Sequence, residues 1–260
     1  MIMDAIISNF LAAGQAGLVL LGRAVLPVLF PFFVLTSLIL QLVPVKRPWV
    51  VAGLAYLSGY PNGARLTKEL YEQKIITTAE ARHLAIITAT PSPFFLIATV
   101  GTLFLGDTGL GVIIFLCAVV AALINGWLWR TQFTPHNKNQ IVTTLPTKPT
   151  KFLSALNQAL STSTSAILNV CGVVLFFYLL AQLLHLPPFL AGILEMTTGV
   201  ASTTNPFFIE FFVCFGGLSV AMQNLLFMHH WQSSMWHYFA YKLTHAILAC
   251  GLFSIYWLLF

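Results

Sequence analysis

Glu195 is the side chain of this sequence that is best placed to do chemistry. It is a carboxylate inside the apolar stretch of residues 189–199, where an ionisable group is expensive to bury and usually serves a function. There it can bind a coupling cation (sodium or a proton), carry a proton, or accept hydrogen bonds from a polar ligand. The alternative is a carboxylate that caps a helix or lies at the membrane interface. Glu210 is a second carboxylate in apolar surroundings, but it lies nearer a predicted membrane face.

Small hydrogen-bonding side chains stand beside glycines and prolines in both halves of the chain. The first half has Tyr60, Asn62, Thr88, Thr90 and Ser92, and the second half has Thr197, Thr198, Ser219 and Gln223. Each of them alone is more often a packing contact between membrane helices than a ligand. Their matching places in the two halves nevertheless indicate a binding site. Lys242 and His245 lie in the last apolar run, where each could belong to the binding site. The structural alternative for Lys242 is a side chain that snorkels to the inner membrane face, and for His245 a buried histidine that is hydrogen-bonded within the bundle.

Motifs for enzymes, metals and nucleic acids are weak. His229, His230 and His237 have no nearby carboxylate or thiol that would complete a metal site. The GxSxG, Walker A and HExxH patterns do not occur. The net charge of +5 comes from basic residues spread over short loops, without a basic patch interleaved with aromatic residues. We therefore expect no enzyme activity, no resident cofactor, no metal site and no nucleic-acid partner.

Composition indicates an all-α integral membrane protein whose partner is the lipid bilayer. Hydrophobic residues make up 58% of the chain and charged residues 7%, whereas soluble domains carry about 25% charged residues. The length suits about six membrane spans plus re-entrant pieces. Basic residues at 46–47, 65–82 and 130–151 would all lie inside if the N-terminus lies outside, as the positive-inside rule requires. The sequence thus predicts a multi-pass protein of the cell (cytoplasmic) membrane.

Residues 58–65 organise the chain around a break. They follow an apolar run, residues 49–57, that is too short to span a bilayer, and they hold two glycines and a proline. Such a half-helix is typical of a discontinuous membrane helix, although a loop between two ordinary helices is the alternative. The charged segment that follows predicts a solvated helix pair, with a capping box from Thr77 to Glu80.

The second half repeats this plan. Each half reads as a span, a short re-entrant piece that ends in a polar break, an interrupted span and a span. Three crossings in each half give the halves opposite orientations, which is the inverted-repeat arrangement of secondary transporters. The predicted organisation is an interfacial or weak membrane helix (1–22), a first inverted repeat (23–130), a cytoplasmic linker (131–163) and a second inverted repeat (164–260). It contains two re-entrant helical hairpins and two unwound membrane helices.

Four motifs resemble those of the YlbJ-type sporulation integral membrane proteins. They are LPVLFPF at 26–32, SGYPNGAR at 58–65, LEMTTG at 194–199 and FGGLSVAMQ at 215–223. That family belongs to the nucleoside-recognition, or gate, domain group, which is similar to the core of concentrative nucleoside transporters. The resemblance runs from about Ala16 to the end of the chain.

The resemblance implies a transport core for a small polar solute, either nucleoside-like or an aromatic carboxylate such as dipicolinate. By motif, one hairpin tip would comprise Gly59, Tyr60, Pro61 and Gly63, and the other Glu195, Thr197, Thr198 and Gly199. Ser92, Ser219 and Gln223 would line the unwound segments, and Lys242 and His245 would belong to a last helix that carries basic and histidine residues. Concentrative nucleoside transporters form trimers, which leaves a homo-oligomer open.

The sequence therefore predicts a secondary transporter that works by alternating access about a midplane site. The alternative is a non-transporting membrane scaffold or gate subunit that acts with partner proteins. An intramembrane enzyme is disfavoured, because no set of a nucleophile and a base, or of metal ligands, is present.

Overall fold

The computed structural model of the chain describes residues 2–42, 48–130, 151–228 and 235–259. These residues form helices joined by short turns, with no β-strand among them. Five helices in this part of the chain are long and apolar enough to cross a membrane: Phe10–Leu42, Thr108–Trp129, Phe152–Leu183, Pro206–Met228 and Met235–Leu259. The prediction of an all-α integral membrane protein is confirmed. The basic residues Lys46 and Arg47, which we interpret as topology determinants, the histidines His229 and His230, and linker residues 131–150 lie outside the described residues.

The first long helix runs without a break through the predicted boundary at residue 22. It consists of α1 (Ile2–Leu20), a π-helical segment π1 (Leu21–Val25) and α2 (Leu26–Leu42). The N–H of Leu26 donates to the carbonyl of Leu21, which widens the helix just before Pro27, a residue without an N–H. The structure thus joins the predicted N-terminal helix to the first span, and an interfacial position for residues 1–22 stays a prediction.

Three short helices follow: α3 (Pro48–Ser58), α4 (Asn62–Glu72) and α5 (Thr78–Ile87). Helix α3 ends and α5 begins where the sequence predicts, whereas α4 begins inside the predicted break of residues 58–65. Gly59 closes α3 with a φ of 73°, in the left-handed region that favours glycine. Thr77 and Glu80 form the predicted capping box at the start of α5.

The prediction of a solvated helix pair is wrong for the first two turns of α4. Residues 62–67 are all buried, and Arg65 keeps only 5% of its surface exposed. Burial is feasible because the Nε of Arg65 donates to Oδ1 of Asn62 at 2.7 Å and its NH1 pairs with Glu69 at 3.0 Å. Only the end of the helix and the following turn, residues 72–74, are exposed.

The predicted span at residues 85–105 is interrupted, as expected from its prolines. After α5, residues 88–94 contain no regular helix beyond a first turn that leads into π2 (Phe95–Leu105). Asp107 then caps α6 (Thr108–Trp129) by accepting a hydrogen bond from the N–H of Leu110 at 3.0 Å. The eleven residues of π2 are too few to cross a bilayer by themselves.

The second half begins with α7 (Phe152–Leu183), which starts inside the segment predicted as linker. Polar residues such as Asn157 and Ser161 lower the hydropathy there without preventing a helix. Two short helices follow, α8 (Pro188–Leu194) and α9 (Met196–Ala201).

The polar stretch near residue 216 is a sharp break and not an unwound segment. The elements around it are α10 (Pro206–Phe215), α11 (Gly217–Met228) and, further on, α12 (Met235–Leu259). Gly216 and Gly217 have φ values of 79° and 71°, and helix resumes at once. Ser219 and Gln223, which the sequence placed on an unwound segment, therefore lie on α11. The inverted orientation of the halves and the re-entrant character of α3–α4 and α8–α9 stay predictions.

Candidate functional site

A small cavity lies where the breaks of the two halves meet. Five predicted site residues line it: Tyr60, Ser92, Glu195, Thr197 and Gln223. Its other walls are mainly apolar and come from π1, α2, π2, α7, α9 and α11. The cavity measures about 30 Å³, which is room for a water molecule or two. The structure thus brings polar side chains from both halves to one place inside the protein.

Glu195 caps α9 and lines the cavity at the same time. Its carboxylate accepts hydrogen bonds from the N–H of Thr197 at 3.0 Å, and from the N–H and the hydroxyl of Thr198, each at 2.6 Å. The side chain is 1% exposed. No basic side chain hydrogen-bonds to it within the described residues. Glu195 therefore caps a helix, as the structural alternative predicted, and its side chain also lines the cavity.

Tyr60 connects the cavity to three other parts of the protein. Its N–H donates to the carbonyl of Thr90 at 2.8 Å, and its hydroxyl donates to the carbonyl of Val213 at 3.4 Å. The Nζ of Lys242 lies 5.7 Å from the centroid of its ring, within the range of a cation–π interaction. The first break, the unwound segment, α10 and α12 thus meet at this one side chain.

Lys242 and His245 lie near the cavity but do not line it. Both are fully buried in α12. The ammonium of Lys242 donates to the carbonyl of Ala89 at 2.7 Å, and Nε2 of His245 lies 2.9 Å from the carbonyl oxygen of Ala118. Lys242 therefore does not snorkel to a membrane face, and both residues bind backbone groups in this structure.

The first predicted tip packs closely against the unwound segment. A Cβ on Gly63 would come within 2.6 Å of the Thr88 hydroxyl, and a Cβ on Gly59 would collide with the backbone of Ser92. The Thr88 hydroxyl donates to the carbonyl of Leu84 at 2.7 Å, whereas that of Thr90 is buried without a partner in the described structure. Gly59, Gly63, Thr88 and Thr90 do not line the cavity, whereas Ser92 does.

Pro61 and Asn62 do not line the cavity. Pro61 is buried at the start of α4. Asn62 donates to the hydroxyls of Thr36 and Ser58, both at 2.8 Å, and accepts from Arg65. These contacts join α2, α3 and α4 into one polar network. Asn62 is thus a structural residue here and not a cavity residue.

Burial changes the ionisation of Glu69, the partner of Arg65 in α4. Burial raises the pKa of the Glu69 carboxyl, and the neighbouring Arg65 guanidinium partly lowers it again. Arg65 also lies over the ring of Phe33, 5.6 Å from its centroid. The pair therefore contributes to how α4 packs against α2.

The remaining predicted residues surround the second tip. Gly199 contacts Gly192 so closely that a Cβ on Gly192 would lie 2.8 Å from the Cα of Gly199. Ser219 accepts a hydrogen bond from Nε2 of Gln223 at 3.1 Å and does not line the cavity. Thr198 faces a second hollow, described below.

Sequence reasoning missed a buried amide in α6. The Nδ2 of Asn125 donates to the carbonyl of Tyr241 at 2.8 Å, and its Oδ1 accepts from the hydroxyl of Thr244 at 2.8 Å. The sequence feature that could have predicted this buried amide is a single asparagine in an apolar run.

Glu210 is also buried, and its nearest partner in the described residues is the Cys214 thiol at 3.6 Å. No group of His, Cys, Asp or Glu that could hold a metal occurs within the described ranges.

Comparison with known proteins gives one relative. Over 120 residues the chain is 30% identical to the sporulation integral membrane protein YlbJ of Bacillus subtilis (strain 168), a match that covers 39% of this chain. The match spans 29% of that protein, which is less than a third of its length. No family model matches the chain, and no solved structure matches it either. This similarity supports the YlbJ part of the resemblance and does not extend to the nucleoside-recognition group.

Proposed function

We propose that this membrane protein is a secondary transporter that moves a small polar solute by alternating access at the cavity. The observation that carries the proposal is the convergence of the two halves. Tyr60 and Ser92 come from the first half, and Glu195, Thr197 and Gln223 come from the second half, yet all five line one cavity. Polar breaks from both halves that meet at one place are what an inverted-repeat transporter requires.

The size of the cavity bears on the mechanism. At about 30 Å³ it does not admit a nucleoside-sized molecule. Solute binding therefore requires the walls to separate. Two walls belong to short elements, the turn at Tyr60 and the helix α9, which are joined to their neighbours at Gly59 and Glu195 rather than by continuous helix. These are the elements that we expect to move.

The solute class follows from the chemistry of the cavity and from the resemblance. The hydroxyls of Tyr60 and Ser92 and the amide of Gln223 can hydrogen-bond to polar groups, and the apolar walls suit an aromatic ring. A nucleoside-like compound and an aromatic carboxylate such as dipicolinate both fit this description. The YlbJ relative is named for sporulation, and we propose a role in sporulation here on that basis.

A coupling cation, sodium or a proton, is part of the proposal. Glu195 is the carboxylate that faces the cavity, and its present partners are donors that stabilise its negative charge. A cation entering the cavity would meet this charge without a competing basic residue among the lining side chains.

A non-transporting scaffold or gate subunit is the second candidate. It is favoured by the small cavity and by the hydrogen bonds that already occupy the Glu195 carboxylate within α9. In that case Glu195 is a helix cap, and the protein acts through partner proteins.

Thermal unfolding of the purified protein tests the proposal. The panel comprises nucleosides, nucleobases and aromatic carboxylates, each with and without sodium. A ligand at 100 times its dissociation constant adds about 2.7 kcal/mol to the free energy of unfolding. Glu195→Gln should lose the response, whereas Glu72→Gln, whose side chain is 58% exposed, should keep it.

Transport in proteoliposomes then separates the two candidates. Uptake of the stabilising solute should be abolished in Glu195→Gln and retained in Glu72→Gln, with both variants folded. Full uptake by Glu195→Gln would rule out its assigned role. A panel without any response, together with capture of a defined partner protein, would favour the scaffold.

A further inference from the structure

A second hollow opens on the surface between π1, α7 and α9. We call it the Arg23 groove, and its polar lining comprises Arg23, Tyr178, Gln182, Thr198 and Ser202. The rest of the lining is apolar, and the volume of about 460 Å³ is far larger than that of the cavity. The two hollows share no lining residue.

Arg23 is a cation whose counter-charge is missing from the described residues. It lies in the middle of the apolar helix that runs from Phe10 to Leu42, and it is exposed. No ion pair of Arg23 is recorded in the described part of the chain, and no acidic residue lines the groove. Basic side chains of membrane helices reach the interface, where anionic groups can pair with them. The geometry therefore calls for an anion that comes from outside the chain.

The depth of the groove indicates where that anion lies. From Arg23 to Leu42 the helix advances about 30 Å at 1.5 Å per residue, which matches the thickness of the hydrocarbon core. In the sequence, the basic residues Lys46 and Arg47 follow Leu42. Arg23 is thus placed at the level of the lipid headgroups on the opposite face.

The other walls of the groove agree with this depth. Phe104 stands just before the turn at Asp107 that precedes α6, and Gln182 stands at the last turn of α7. Gln182 is thus at the end of a candidate span, and Phe104 is near the end of the shorter apolar helix π2.

The groove combines polar and apolar lining residues, as a binding site for a phospholipid requires. Val19 and Leu103 line it and are 52% and 58% exposed. A guanidinium binds phosphate with two parallel hydrogen bonds, and the neighbouring amide and hydroxyl add further ones. We propose that the Arg23 groove binds the phosphate of an anionic phospholipid.

The site adjoins the cavity through one residue. Thr198 lines the groove, and its hydroxyl donates to the Glu195 carboxylate, which lines the cavity. A bound lipid would thus contact the helix that holds Glu195.

The test measures thermal unfolding of the full chain in detergent with added phosphatidylglycerol or phosphatidylcholine. Phosphatidylglycerol should raise the melting temperature of the wild type more than phosphatidylcholine does. Arg23→Gln should weaken the apparent affinity for phosphatidylglycerol about tenfold or more. The matched control is Arg130→Gln, because Arg130 is also exposed but lies over Trp127 at the end of α6, and it should respond as the wild type does.

A second variant and a soluble probe keep the outcomes distinct. Ser202→Glu adds a carboxylate to the groove at an exposed position. It should also abolish the response to phosphatidylglycerol, and it replaces Arg23→Gln as the test if that variant does not fold. An equal response of the wild type, Arg23→Gln and Ser202→Glu to phosphatidylglycerol would overturn the proposal. Glycerol 3-phosphate that stabilises the wild type as strongly as the lipid would show a site for a free anion and would overturn it as well.

Discussion

The ammonium of Lys242 donates a hydrogen bond to the carbonyl oxygen of Ala89 at 2.7 Å. Lys242 belongs to the last helix, and Ala89 belongs to the unwound segment that follows α5. A carbonyl freed by a helix break inside a membrane needs a donor from elsewhere in the protein. The second half of the chain thus supplies the group that stabilises the break of the first half.

Lys242→Met should loosen this segment. Hydrogen bonds to charged groups contribute about 1.5–3 kcal/mol, so amide exchange of residues 88–94 should accelerate about tenfold or more. Hydrogen–deuterium exchange with mass spectrometry measures it. Lys68→Met, at a half-buried position in α4, is the control and should leave this exchange unchanged. Unchanged exchange in Lys242→Met would show that the bond does not hold the segment.

Gly59→Ala should be more destabilising than Gly106→Ala. Both glycines have positive φ, 73° and 68°, so both substitutions strain the backbone similarly. Only at Gly59 would the new Cβ collide with a neighbour, the backbone of Ser92, whereas Gly106 has nothing within 4 Å. We expect an additional loss of about 1–3 kcal/mol in the free energy of unfolding for Gly59→Ala. Equal melting temperatures of the two variants would contradict the close approach of the tip to the unwound segment.

Gly192→Ala should destabilise the protein by about 1–3 kcal/mol. Its Cβ would lie 2.8 Å from the Cα of Gly199 and 2.5 Å from the ring of Phe212, so α8 and α9 would have to separate. Gly172→Ala is the matched control, because nothing lies within 4 Å of its Cβ and alanine favours the helix by about 1 kcal/mol. Thermal unfolding should therefore move in opposite directions for the two variants.

Thr198→Val should weaken the cap of α9. It removes the hydroxyl that donates to Glu195 at 2.6 Å and keeps the shape of the side chain. Loss of a hydrogen bond to a carboxylate costs about 1.5–3 kcal/mol, read as a lower melting temperature. Thr198→Ser retains the hydroxyl and should stay close to the wild type. If valine and serine behave alike, the bond contributes nothing to stability.

The breaks in this fold could be predicted from sequence, because glycine and proline act locally. The helix end at Ser58, the capping box at Thr77 and the interruption before Phe95 all follow from residues within one turn of them. Which side chains at a break face the cavity could not be predicted from sequence. Asn62 and Ser92 looked equivalent in sequence, since both are small polar residues at a break. Asn62 donates to the hydroxyl of Thr36 and does not line the cavity, whereas Ser92 does.

Other features depend on which helices become neighbours. Arg65 was predicted to be solvated, but α4 packs against α2 and α11, and the polar network around Asn62 makes its burial feasible. The Arg23 groove exists only because α7 and α9 approach π1, which no local pattern encodes. Ser219 and Gln223 stay helical because two adjacent glycines complete the break before them.

The hydrogen bonds to the Glu195 carboxylate come from the two residues that follow Met196 in the same short helix, whereas the N–H of Glu195 donates to the carbonyl of Ala191 in α8. A carboxylate whose donors belonged to other helices would lose them whenever those helices shifted. Here the carboxylate and the donors that stabilise it lie in one short element. Displacement of α9 as a rigid body would therefore not expose an uncompensated anion to lipid. The barrier to any such displacement then comes from the apolar contacts around α9 and from the backbone hydrogen bond between Glu195 and Ala191, and not from the charge of Glu195.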